Sequence, residues 1–259
     1  MSSPVRSHRF RPLDTHFSVV AGEYQSDSDR GFECSGLTVY GTSFALGQGY
    51  FLTAAHTLRN AASRGTVALG HRTTACQVIE SEYFDDIDLA LLRCTRLRDA
   101  PVFPVDFEPL AWFAPVQACG YPLAVDPQRL TLVIRAFRGT IVVRRELYGI
   151  PSLPAQPEGY ELSFSAPQGL SGAPLLNLRG AVPAVSGVIV ANQRSEAEGD
   201  VTQFGIAVDI RELLRRRSTL LDGWISERLY DRRPLPPGRP TPIRNPLLNR
   251  PDPPNEDAE

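Results

Sequence analysis

The sequence predicts an all-β chain, a sandwich or barrel. Three observations carry that expectation. Short β-branched runs recur at near-regular intervals, with glycine between them. Their spacing does not leave room for the strand–helix alternation of βαβ units. Sustained helical periodicity occurs once, near the C-terminal end.

The elements follow in order. Residues 1–15 read as an irregular lead-in. The first series of strands is Phe17–Ala21, Leu37–Leu46, Tyr50–Thr53, Thr66–Leu69, Cys76–Ser81 and Leu89–Arg93. The stretch Ala100–Pro115 holds four prolines and breaks the series, so it reads as a linker between barrels. The second series is Pro115–Cys119, Thr131–Phe137, Thr140–Arg144, Tyr160–Phe164, Pro174–Leu176, Val185–Val190 and Gln203–Val208. Asp209 can cap one helix, along which Ile210, Leu213, Leu214, Leu220, Leu221, Trp224, Ile225 and Leu229 recur at helical spacing. Residues 234–259 carry nine prolines, too little apolar surface to fold, and read as a disordered or polyproline-like tail. The expected division is 1–15, 16–103, 104–230 and 231–259.

Bulk properties narrow the function. With 259 residues, 42% of them hydrophobic, the chain can build one large or two small cores. The net charge of −2 gives no global field for nucleic acid or anionic lipid, so neither is an expected partner. All 27 basic residues are arginine. No apolar run follows the N-terminal charges, and none approaches the roughly 20 residues that span a bilayer. A cytoplasmic location without membrane contact is expected. Cys34, Cys76, Cys94 and Cys119 match no zinc module, and they read as buried small hydrophobes in a reducing compartment. His8, His16, His56 and His71 offer no close pair, so no metal or cofactor is expected.

Three strings carry chemistry: TAAH at Thr53–His56, DLALL at Asp88–Leu92 and GLSGAP at Gly169–Pro174. A serine hydroxyl is a poor nucleophile unless an imidazole takes its proton and a carboxylate fixes the imidazole's tautomer. His56, with small alanines before it, can sit on a tight turn between close backbone segments as the base. Asp88 leads an apolar strand and would be costly to bury unless bonded, for which an imidazole Nδ1–H is a natural partner. Asp85 and Asp86 read as solvated acids. Gly169 lets the backbone turn so that the amides of Gly169 and Ser171 can point at one spot, as an oxyanion hole requires. An α/β-hydrolase plan does not fit, because Ala173 stands two residues after Ser171 and every histidine precedes it.

These strings resemble the chymotrypsin/trypsin-like serine protease superfamily, over about residues 15–229, in its compact bacterial form. The resemblance implies two six-stranded antiparallel Greek-key barrels with the site between them. It implies His56 as general base, Asp88 as orienting acid, Ser171 as nucleophile, and the Gly169 and Ser171 amides as oxyanion donors. It also implies a substrate pocket floored by Ser165, walled by Ala191 and Asn192, with Phe204 opposite. An uncharged floor argues against cleavage after arginine or lysine. Leu170 stands where secreted relatives carry an aspartate that pairs with a new N-terminus, so activation by N-terminal cleavage is not expected. Val190 stands where many relatives place a serine that bonds the triad aspartate. The implied function is an endopeptidase cleaving specific intracellular proteins, with a protein or peptide substrate, an activating partner and a setting in bacterial signalling or defence. A catalytically silent binding module on the same fold is the competing reading.

Overall fold

The computed structural model describes residues 15–28, 31–71, 74–122, 125–126, 131–197 and 200–230. Of the expected lead-in only Thr15 is described, and the Pro-rich tail and the Cys34 side chain fall outside what it describes.

Alternation along the strands splits the apolar residues between two destinations. In β3 (Tyr50–Ala54) and β7 (Leu89–Arg93), Phe51, Ala90 and Leu92 face the interior of the first sheet with Phe17, Val19 and Leu69. Leu52, Ala54, Leu89 and Leu91 face the other way and join a core shared by both halves. β7 is therefore buried on both faces, as a run of four apolar residues predicts.

The first sheet also contains β1 (His16–Ser28), β2 (Gly31–Gly47), β4 (Thr66–His71), β5 (Thr74–Gln77) and β6 (Glu80–Phe84), in the order β5-β4-β1-β2-β3-β7-β6. Its edge strands β5 and β6 are joined by only Val78 and Ile79, so the sheet must curl until its edges meet. Val78 donates to Val67 O and Ile79 to Arg93 O, both at 3.0 Å, carrying the ladder across the joint. Sequence reasoning took Cys76–Ser81 as one strand. Counted as one kinked strand, the pair restores six. An eight-residue helix α1 (Ala55–Ala62) leaves β3 directly, where a tight turn was expected at His56.

The second half is a closed barrel of β8 (Pro115–Gly120), β11 (Arg135–Glu146), β12 (Glu158–Leu162), β13 (Pro174–Asn177), β14 (Ala184–Ala197) and β15 (Asp200–Asp209). A small ribbon, β9 (Val125–Asp126) with β10 (Thr131–Leu132), lies between β8 and β11. β12 pairs with β15 and not with β13, which is the Greek-key crossing. Thr131–Phe137 and Thr140–Arg144 were read as two strands, but the β11 ladder runs unbroken through Gly139. Val188, Val190, Ile206 and Val208 enter the shared core, while Ile189 and Ala207 fill the barrel.

The single C-terminal helix expected from periodicity is broken. α2 (Ile210–Leu214) and α3 (Ile225–Tyr230) flank a two-stranded turn, β16 (Arg217–Ser218) with β17 (Gly223–Trp224). Glu82 of β6 captures Ser218 Oγ at 2.5 Å and the amides of Thr219 and Leu220 at 2.9 and 3.2 Å, which draws the chain out of helical geometry. Asp222, at φ +51°, turns it back.

Candidate active site

Asp88 follows a 3-10 turn (Asp85–Ile87) and adopts a left-handed conformation, φ 53° and ψ 37°, which short polar side chains tolerate. That turn sends β7 back beside β3 and aims Asp88 at the start of α1. The helix has no side-chain cap of its own, since Ala54 precedes it. Asp88 supplies one from across the sheet: its carbonyl accepts from the Ala55 amide at 2.8 Å and its Oδ1 from the His56 amide at 2.9 Å.

The other carboxylate oxygen lies 2.7 Å from His56 Nδ1. A carboxylate only accepts, so Nδ1 carries a proton, and in the neutral imidazole Nε2 presents a bare lone pair. The Asp88 side chain is 3% exposed and the His56 side chain 37%, so the acid is buried and the base faces outward. Both oxygens of Asp88 are engaged without the serine that Val190 replaces. Val190 is itself buried in the shared core.

Ser171 is carried between two glycines with positive φ, Gly169 at +93° and Gly172 at +84°. A Cβ on Gly172 would lie 2.1 Å from Thr42 O and 2.3 Å from Thr53 Oγ1. A Cβ on Gly41 would lie 2.8 Å from Ser171 O and 2.6 Å from Thr57 Cγ2. The Ser171 loop therefore rests directly on the strands that lead to His56 and beside the residue that follows it. The structure brings His56 and Asp88 into contact and seats Ser171 against the same seam.

The Ser171 loop is tightly bonded. Leu170 N donates to Pro167 O, Gly172 N to Ile189 O and Ala173 N to Leu170 O, at 3.0, 2.7 and 2.9 Å. Among the described residues no backbone acceptor takes the amides of Gly169 or Ser171. Leu170 is fully buried in the second barrel's core with Val116 and Ala118.

The expected pocket residues share one neighbourhood. Asn192 pairs in register with Gly205, next to Phe204, and Gly205 N donates to Phe164 O at 2.7 Å. Ser165 and Asn192 are exposed, and Ala191 and Phe204 half-buried. Sequence reasoning missed what joins them. Asn192 Nδ2 donates to Ala166 O at 2.6 Å while its Oδ1 accepts from Ala166 N at 2.5 Å. An amide side chain opposite an open backbone edge is the only signal the sequence offers for this, and it is a weak one.

Asp86, read as a solvated acid, does keep its side chain 43% exposed, but it also bridges the halves. It pairs with Arg216 at 2.7 Å, and its carbonyl accepts from Ala155 N at 3.1 Å, both partners lying in the second half. Asp85 pairs with Arg59 of α1, three residues after His56. Among the described residues no group of histidine, cysteine, aspartate or glutamate is arranged to hold a metal, and no helix is long and apolar enough to cross a membrane.

A family model of the trypsin-like peptidase domain matches residues 41–185, which include all three strings. Solved structures of the Rv3671c protease from M. tuberculosis share the fold. Its active form is 22% identical, with a TM-score of 0.55, over 82% of this chain and 85% of that one. An inactive-form mutant from M. tuberculosis H37Rv is 20% identical, with a TM-score of 0.52, over 81% and 90%. No curated protein matches the chain.

Proposed function

The chain belongs to the trypsin-like peptidase domain family and is a serine peptidase; from that premise we propose that His56, Asp88 and Ser171 are its catalytic triad. The observation that carries this reading is the Asp88 carboxylate. It is buried, bonded through one oxygen to the His56 amide and through the other to Nδ1, so it fixes both the place and the tautomer of the imidazole.

The steps follow from that tautomer. His56 Nε2 takes the Ser171 hydroxyl proton as Oγ bonds to the substrate carbonyl carbon. The oxyanion that forms would meet the Gly169 and Ser171 amides, which no backbone acceptor takes among the described residues. Collapse of this intermediate breaks the C–N bond, and His56 returns its proton to the leaving amine. A water, deprotonated by His56, then releases the acyl group and restores Ser171.

For the substrate we propose a specific protein target in a bacterial cytoplasm, within a signalling or defence system and under the control of an activating partner. The buried free thiols of Cys94 and Cys119 favour a reducing compartment. The buried Leu170 favours a nucleophile loop held by packing, without help from a cleaved N-terminus. Ser165, Ala191, Asn192 and Phe204 would line the primary pocket. With Asn192 bonded across to Ala166, the pocket would admit a small apolar residue before the cut and leave a cation unpaired.

Incubating the purified chain with a peptide library, followed by mass spectrometry of the products, tests this reading. Cleavage after small apolar residues is expected, and Ser171→Ala should leave at most the ~10³–10⁴-fold acceleration over water that the triad template retains. Undiminished cleavage by Ser171→Ala would sink the assignment. Binding without any cleavage would favour the silent module.

A further inference from the structure

Thr42 in β2 is bonded at the seam through its amide, its carbonyl and its hydroxyl, and no string in the sequence points to it. It is fully buried. Its amide donates to Ser171 O at 2.9 Å, and its carbonyl accepts from Thr53 Oγ1 at 2.7 Å. Its hydroxyl accepts from the Tyr121 amide at 3.0 Å and donates to Gly169 O at 2.8 Å. One side chain of the first sheet thus meets both the end of β8 and the nucleophile loop.

The direction of the hydroxyl is fixed by counting. A threonine hydroxyl has one proton. An amide can only donate, so Tyr121 N–H occupies a lone pair, and the proton must point at Gly169 O. Room for this arrangement comes from Gly120, where a Cβ would stand 2.4 Å from Thr42 Oγ1.

We infer that the Thr42 hydroxyl is a positioning group for the oxyanion site, holding the Gly169–Leu170 peptide so that the Gly169 amide keeps its aim. The inference rests on the triad reading above. Glycine has the freest backbone of any residue, so Gly169 at φ +93° would swing unless its neighbours hold it. Its carbonyl is tied to Thr42, and the amide of the same peptide, Leu170 N, is tied to Pro167 O at 3.0 Å. The next peptide is held through Leu170 O, which accepts from Ala173 N at 2.9 Å, and this sets the direction of Ser171 N–H. Thr42 is the part of this frame supplied by the opposite barrel. It therefore couples the donors on the second half to the His56 strand of the first, through Thr53.

The test is the rate at which a fluorophosphonate labels Ser171, normalised to folded protein by circular dichroism and measured across pH. The tetrahedral phosphonyl adduct needs the same amides as the substrate oxyanion. Thr42→Val, which keeps the shape and removes the hydroxyl, should slow labelling about ten- to a hundredfold, less than the ~10²–10³ lost when an oxyanion donor is deleted outright. Thr42→Ser, which keeps the hydroxyl, should stay within about threefold of the parent. The acid limb of the pH profile should not move in either variant, because the His56–Asp88 pair is untouched. Should Thr42→Val fail to fold, Thr42→Ala makes the same comparison. Wild-type labelling by the hydroxyl-less variant, or equal slowing in Thr42→Ser, would overturn the inference. Labelling that survives Ser171→Ala would instead overturn the triad reading, so the two failures are distinguishable.

Discussion

Single atoms at the seam decide whether the site can work. The His56 tautomer rests on Asp88 Oδ2 being an acceptor. Asp88→Asn can turn its amide toward Nδ1, which then must accept, leaving Nε2 protonated and unable to take the serine proton. Turnover should fall by about 10⁴-fold, the loss the triad template assigns to this change, while the fold persists; steady-state kinetics with thermal unfolding check both halves. Asn192 belongs to a different property in the proposed reading, the choice of substrate. Asn192→Gly removes the two bonds to Ala166 and should broaden cleavage toward larger apolar residues, read from the same peptide library. An unchanged product profile would separate Asn192 from specificity. The sequence pointed to His56, Asp88 and Ser171, the proposed triad, because small residues and an apolar strand surround them, and the structure sets the first two in contact. Thr42 and Asn192 were not, because their partners are backbone atoms of distant segments, and backbone carries no sequence signal.

At the scale of elements, Asp88 is a helix cap as well as the proposed triad acid. It takes the Ala55 amide through its carbonyl and the His56 amide through Oδ1, so α1 begins where the acid sits. Asp88→Ala should therefore cost stability that Asp88→Asn largely keeps, by about 0.5–2 kcal/mol for a lost side-chain cap. Comparing the two variants in urea separates capping from catalysis. The same cap explains why the sequence suggested only a turn at His56: α1 lacks a local capping residue, and its partner lies 32 positions away. Strand positions were legible wherever alternation was strong. They failed at Val78–Ile79, where one strand changes partners, and beyond Leu214, where Glu82 overrides the helical pattern.

The molecule as a whole must hold the proposed base on one barrel against the proposed nucleophile on the other. A shared apolar core does most of this, with Leu52, Leu89 and Leu91 facing Val188, Val190 and Ile206. Polar clasps set the register around it: Glu82 with Ser218, Thr219 and Leu220, Asp86 with Arg216, and Tyr50 Oη with Leu220 O at 3.4 Å. Burial opposes ionisation of Glu82, but the bonds from Ser218, Thr219 and Leu220 outweigh it and hold its carboxyl below the ordinary 4.5. A depressed folded pKa means this clasp contributes fully above the unfolded value and is lost as pH falls through the folded one. Glu82→Gln should melt below the parent at pH 7, with the gap closing in acid below about pH 4, as thermal scans across pH will read. A gap independent of pH would show that charge plays no part. Two β halves were legible from strand spacing, whereas these clasps join residues more than a hundred positions apart and leave no local pattern.

The most direct measurement is peptide mapping by mass spectrometry after fluorophosphonate treatment of the whole chain. A live triad yields one adduct, on Ser171, absent in Ser171→Ala and nearly absent in His56→Ala. An unmodified Ser171 in folded protein, or an adduct that persists in His56→Ala, would contradict it.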